Sequence, residues 1–179
     1  MAVAAQAQTL RAPFDLSANF AATGWMGEGS KGTMLVRIDE QYTQHRRAND
    51  DDGKCIRISW QPSTAEWVGL YWQSPAGNWG VQPGRSIEGA SKIVFWASGQ
   101  NGGEVVEFKA GGIRAQGMPY KDSFEAGLGA VRLTNSWRPY QINLTGRNLT
   151  SVIGGFGWTA RKSANAGTMV FYLDGIRYE

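Results

Sequence analysis

Side chains that could carry catalysis are few and scattered in this chain. Among 179 residues there is one histidine, His45, and one cysteine, Cys55. A single cysteine forms neither an intrachain disulfide nor a multi-cysteine metal site. Cys55 sits in "KCIRISW", which alternates like a strand and favours a packed thiol over a nucleophile. His45 lies in the polar stretch "QYTQHRRANDDDG", and no G-x-S-x-G accompanies it, so serine-hydrolase chemistry is disfavoured. Glycoside hydrolysis needs two carboxyl groups about 5–9.5 Å apart. Glu104 and Glu107 are three apart and fall on opposite faces of a regular strand. Glu107 with Glu66 or Asp122 stays open across strands. Tyr71 or Tyr120 beside Lys109 or Arg57 would supply the base and cation of a polysaccharide lyase. "NDDDG" (49–53) lacks the alternate acids and distal Glu of a calcium loop and reads as a turn.

Aromatic residues are the richer signal. The stretch "EWVGLYWQSPAGNWG" holds Trp67, Tyr71, Trp72 and Trp79. A pyranose ring presents a flat C–H face edged by hydroxyls, so a protein that binds it wants a rigid aromatic plane with polar groups at the rim. Strand alternation over 67–73 puts Trp67, Gly69, Tyr71 and Gln73 on one face and Val68, Leu70 and Trp72 on the other. The second set is uniformly apolar and belongs in the core, as do Trp60, Trp96 and Trp158. Over 104–110 the outward set is Val105, Glu107 and Lys109. The candidate ligand-binding residues are therefore Trp67, Tyr71 and Trp79 as platform, with Gln73, Asn78, Glu107 and Lys109 as rim. Tyr120 and Asp122 join them from the loop sequence "PYKDS". The plainer alternatives are a Trp79 that caps the sandwich and a Glu107–Lys109 surface ion pair.

These residues must be positioned by strands. No stretch keeps the i, i+3, i+4, i+7 pattern of an amphipathic helix, and 24 glycines punctuate short apolar runs. Strands are expected at 33–39, 54–60, 67–73, 92–98, 104–110, 130–134, 139–144, 153–160 and 168–178. Their number and spacing predict an all-β antiparallel sandwich, a jelly roll. One domain is expected over 12–179, after an N-terminal stretch (1–11) that is disordered or the remnant of a secretory signal. Eighteen Lys and Arg against fifteen Asp and Glu give a net charge of +3 without the dense basic stripe of a nucleic-acid binder. No run reaches the ~20 apolar residues of a membrane span.

The segments "GWMGEGSKGTM", "WVGLYWQSPAGNWG", "KIVFWASGQNGGEVVEFKAGGI", "YKDS", "INLTGRNLTSVIGGFGW" and "FYLDGIRYE" resemble bacterial carbohydrate-binding-module-like domains over nearly the whole chain. The resemblance implies the galactose-binding-like jelly-roll fold, an exported setting (secreted, periplasmic or cell-surface) and a polysaccharide or oligosaccharide as partner. It also implies a structural Ca²⁺ held by Asp174 of "YLDGI" with Asp15 of "PFDL" or Glu28 of "GWMGEG". Related sequences carry "LDD" and "GWMGD" where this one has "LDG" and "GWMGE". The expectation is a non-catalytic carbohydrate-binding module. A polysaccharide-degrading enzyme on the same scaffold and an envelope protein-interaction domain remain the alternatives.

Overall fold

The computed structural model describes residues 8–32, 35–50 and 52–179. Residues 1–7 of the N-terminal stretch (1–11) expected to be disordered or a signal remnant, the first two residues of the strand expected at 33–39, and Asp51 of the "NDDDG" turn lie outside them. The described residues form thirteen strands: β1 (Thr9–Arg11), β2 (Phe14–Asp15), β3 (Ala21–Gly27), β4 (Val36–Tyr42), β5 (Cys55–Trp60), β6 (Trp67–Gln73), β7 (Ser86–Glu88), β8 (Lys92–Gly99), β9 (Val105–Gly111), β10 (Glu125–Arg132), β11 (Arg138–Asn143), β12 (Gly154–Arg161) and β13 (Met169–Tyr178). Three 3-10 turns are the only helical pieces among them.

Two antiparallel sheets stack face to face, as the alternating pattern requires. One has five strands in the order β10-β9-β12-β6-β3; the other runs β11-β8-β13-β5-β4, with β2 added beside β13. Ile58, Trp60, Phe95, Phe171 and Tyr178 from the larger sheet meet Leu70, Trp72, Phe108, Phe156 and Trp158 from the smaller one, all essentially inaccessible to water. The rings interlock: Phe95 lies 4.9 Å from Phe108 and 5.0 Å from Phe156, and Trp158 meets Phe171 edge-on at 5.1 Å. Burying each such side chain contributes about 1.5–3 kcal/mol, which makes this layer the main source of stability.

Trp96 departs from the expectation of a core tryptophan. On β8 the inward set is Ile93, Phe95 and Ala97, so Trp96 faces outward and is half-buried beneath the Arg47 guanidinium, 4.8 Å from its ring centroid. The expected domain start at residue 12 also moves: Thr9–Arg11 pair in parallel with Ser86–Glu88, and Leu10 is buried. A three-residue strand with one inward apolar side chain is too short for its alternation to stand out in sequence. At the edge of the five-stranded sheet, β10 carries a bulge between Gly127 and Gly129.

Candidate binding face on the five-stranded sheet

The outward face of the five-stranded sheet is assembled from β6, β12 and β9. Register places Arg161 beside Trp67, Thr159 beside Gly69 and Gly157 beside Tyr71. On the other side of β12, Thr159 faces Glu107 and Gly157 faces Lys109. Strand alternation therefore brings Trp67, Glu107, Lys109, Thr159 and Arg161 around one shallow pocket of about 250 Å³. The Trp67 indole is 37% exposed. Thr159 Oγ1 donates to Glu107 Oε2 at 3.5 Å, and the Arg161 guanidinium stands 4.0 Å from Glu107 Oε1. Lys109 Nζ sits 4.9 Å over the centroid of the Tyr71 ring. Burial holds the Lys109 ammonium below its ordinary pKa, with Glu125 and Glu107 acting in the opposite direction.

Tyr71 is where alternation predicts the facing correctly and the exposure wrongly. Its side chain leaves the sheet on the Trp67 side but is only 3% exposed. The ring lies down across β12, where a side chain at position 154 or 157 would collide with it: a Cβ at Gly157 would stand 2.6 Å from Tyr71 Cδ1, and one at Gly154 would stand 2.9 Å from it. The hydroxyl reaches past β12 to donate to Gly111 O at 2.7 Å. Ile113 and Ile153 pack on the ring, with Trp79 and Tyr120 half-buried at its border; Trp79 meets it edge-on at 6.4 Å. Burial, then the charges of Asp122 and Glu125, push the phenol pKa up.

Three of the expected rim residues are also buried, because their polar groups hold loops in place. Gln73 donates from Nε2 to Asn78 O at 2.8 Å, while its Oε1 accepts from Thr23 Oγ1 at 3.1 Å. Asn78 accepts the N–H groups of Gly80 and Gln82 at 3.0 and 3.1 Å and donates to Gln82 O at 2.9 Å, which closes the turn around Trp79. Asp122 accepts backbone N–H groups from Ile113 (2.8 Å), Ile153 and Gly154 (3.3 Å), tying the loop before β10 to the start of β12. Its carboxyl is pushed up to about 6 because burial outweighs those donors and the nearby Arg114 charge. Of the expected residues, Trp67, Glu107 and Lys109 therefore meet in the open pocket; Trp79 and Tyr120 border its covered neighbour. Thr159 and Arg161 were missed: the strand expected at 153–160 ended one residue before Arg161, and its faces went unsorted.

The carboxylates expected to hold calcium do not fit that ion as a set. Asp15 Oδ1 forms an ion pair with Arg177 Nε at 3.1 Å, and Asp174 Oδ2 accepts from Arg47 Nε at 2.9 Å. Glu28 is buried elsewhere, accepting Trp60 Nε1 at 2.6 Å and the Ser63 hydroxyl. Among the described residues, no group of three or more His, Cys, Asp or Glu side chains could hold a metal. Asp15 and Asp174 do line one broad cleft at the end of the sandwich, but each already faces a guanidinium. On the outward face of the other sheet, His45 stacks on Tyr172 at 4.0 Å and contacts Ser98 Oγ at 3.2 Å, away from Glu107 and Lys109.

No family model matches the chain, and no curated protein matches it. Solved structures do. The family 11 carbohydrate-binding module of the cellulosomal cellulase Lic26A-Cel5E of Clostridium thermocellum is 12% identical, with a TM-score of 0.53 over 93% of this chain and 92% of that one. A family 30 carbohydrate-binding module aligns at 14% identity and a TM-score of 0.52 over 94% of each chain. The chain has the jelly-roll fold of carbohydrate-binding modules. A further family 30 module, from the C. thermocellum cellulosomal cellulase Cel9D-Cel44B, is 16% identical with a TM-score of 0.51, over 94% of this chain and 93% of its own. At these identities the likeness is one of architecture. Among the described residues, no helix of this β-sandwich is long and apolar enough to cross a membrane.

Proposed function

We propose that this β-sandwich binds carbohydrate, without cleaving it, on the outward face of its five-stranded sheet. The observation that carries the reading is a 37% exposed indole, Trp67, set in one shallow pocket with Glu107, Lys109, Thr159 and Arg161. The indole offers a flat apolar surface to one face of a pyranose ring. Glu107 accepts hydrogen bonds from ring hydroxyls, Lys109 and Arg161 donate to them, and Thr159 does either. A pocket of about 250 Å³ admits one or two sugar rings and leaves the rest of a chain in solvent. One stacking surface with a few solvent-edged hydrogen bonds gives a Kd on the order of µM to mM, about −8 to −4 kcal/mol. The solved structures that share the fold are described as carbohydrate-binding modules, which supports the same class of ligand. An exported or cell-surface setting, where polysaccharide is met, belongs to the proposal and is tested by fractionating the native host.

Affinity electrophoresis and a glycan array test the binding. Retardation by at least one polysaccharide is expected, and Trp67→Ala abolishes it. Folded protein that binds no glycan overturns the reading. Reducing-sugar release and ultraviolet absorbance of unsaturated products on the same substrates are expected to stay at background.

A further inference from the structure

The pocket contains one charge that the protein leaves unmatched. Glu107 is answered by Arg161 at 4.0 Å and by the Thr159 hydroxyl. Lys109 has no such partner: among the described residues its ammonium makes no hydrogen bond and no ion pair, and its contact is the face of the Tyr71 ring. Sheet register explains why. The side chains that normally pair with a strand residue belong to its neighbours on the flanking strands. For Lys109 those neighbours are Gly157 on β12 and Gly127 on β10, neither of which has a side chain. Tyr71 in turn is fixed by its hydroxyl bond to Gly111 O, which keeps its ring face beneath the ammonium. Glu125 and Glu107 act on it only at longer range than an ion pair.

We propose that the ligand of this face carries a carboxylate, a uronic acid residue, and that Lys109 is the residue that selects it. The proposal rests on the carbohydrate-binding reading above. Trp67 and Lys109 stand at opposite ends of the pocket, with Thr159 and Glu107 between them on the shared register. When one ring of a chain stacks on the indole, the next ring lies over Thr159 and Glu107, where the C6 carboxylate of a hexuronate meets the ammonium. An ammonium is compact and strongly hydrated, and a ligand that covers it must replace that water. A carboxylate adds the attraction of opposite charges to the hydrogen bond that a neutral hydroxyl could also accept, so the acidic sugar replaces the lost hydration more fully. The Arg161–Glu107 pair cancels within itself, so Lys109 decides the sign of the pocket.

The test compares oligosaccharides that differ in one group. Galacturonan and alginate fragments are titrated beside the same fragments as methyl esters, with cello-oligosaccharides as a neutral reference. At low salt, an acid form is expected to bind at least about ten-fold more tightly than its ester, with the margin shrinking as salt approaches physiological strength. Lys109→Met brings the acid-to-ester ratio to about one, and Lys109→Arg keeps a preference for the acid. Acid and ester binding equally well, or cello-oligosaccharides binding more tightly than either, overturns the assignment of a uronate while leaving the carbohydrate reading in place. Binding of no member of the panel, nor of any glycan on the array, overturns both.

Discussion

Trp67 and Tyr71 share a strand face four residues apart and do opposite jobs. Trp67 presents part of its indole to solvent, so Trp67→Ala is expected to weaken glycan binding by at least ten-fold, about 1.4 kcal/mol. Its cost in stability is expected to be about 1–2 kcal/mol, since only the covered part of the ring is lost. Tyr71→Ala removes a sealed ring and leaves Gly111 O without its donor; a loss of about 3–5 kcal/mol is expected by denaturant unfolding. If Tyr71→Ala instead unfolds with the wild-type midpoint, the covered half of the face has been misassigned. Gly157→Ala tests how that cover is built. Its Cβ would stand 2.6 Å from Tyr71 Cδ1 and 3.0 Å from Leu70 O, so overpacking of about 1–3 kcal/mol is expected although the residue added is the smallest available. The facing of Trp67, Tyr71, Glu107 and Lys109 was legible because a strand has a period of two. Which of them stays open to water was not, because that depends on loops, at Trp79, Ile113, Tyr120 and Ile153, whose polar residues look like rim groups. Gln73, Asn78 and Asp122 carry the chemistry of sugar contacts but spend it on backbone N–H and C=O groups.

The loop that covers Tyr71 is fastened by Asp122, and its titration sets a pH dependence. The folded carboxyl stands at about 6 against an ordinary 3.8. As pH falls through 6 the folded protein takes up a proton that the unfolded chain accepts only near 4, which favours the folded state. Asp122 therefore contributes a stability that rises between pH 7 and 4, by at most about 3 kcal/mol for a shift of this size. Asp122→Asn cannot titrate, so the stability difference between wild type and variant should grow as the pH is lowered over that range in denaturant unfolding. A difference that shrinks would mean that the three N–H donors outweigh burial and hold the carboxyl low. At the level of strands, the runs expected at 67–73, 92–98, 139–144 and 168–178 lie within a residue of β6, β8, β11 and β13, where apolar side chains recur along the element. β3 was missed because "AATGWMG" mixes small and half-buried residues with no clear alternation, and β1 and β7 have only three residues each. β10 was expected at 130–134 and begins at Glu125, since its outer half, "EAGLG", is an exposed edge whose only inward anchor is Ala126.

At the scale of the molecule, the sandwich rests on its aromatic layer, and among the described residues no carboxylate set calls for a metal. The chain terminus at β13 is fastened by Arg177 to Asp15 on β2 and by Asp174 to Arg47. Chelator is therefore expected to leave the melting temperature where added calcium leaves it; a drop on chelation, restored by calcium, would require those carboxylates to exchange guanidinium for ion. The larger features of this architecture were readable from composition, since many short strands broken by turn residues admit few arrangements other than two stacked antiparallel sheets. One detail at the margin bears on how the protein behaves in company. β10 exposes an unpaired rim that would otherwise template a strand from another copy. The Gly127–Gly129 irregularity breaks the straight row of amides along it, and the Glu125 and Arg132 side chains at its ends add charge. That margin is therefore poorly shaped to add a strand from a second copy of the chain.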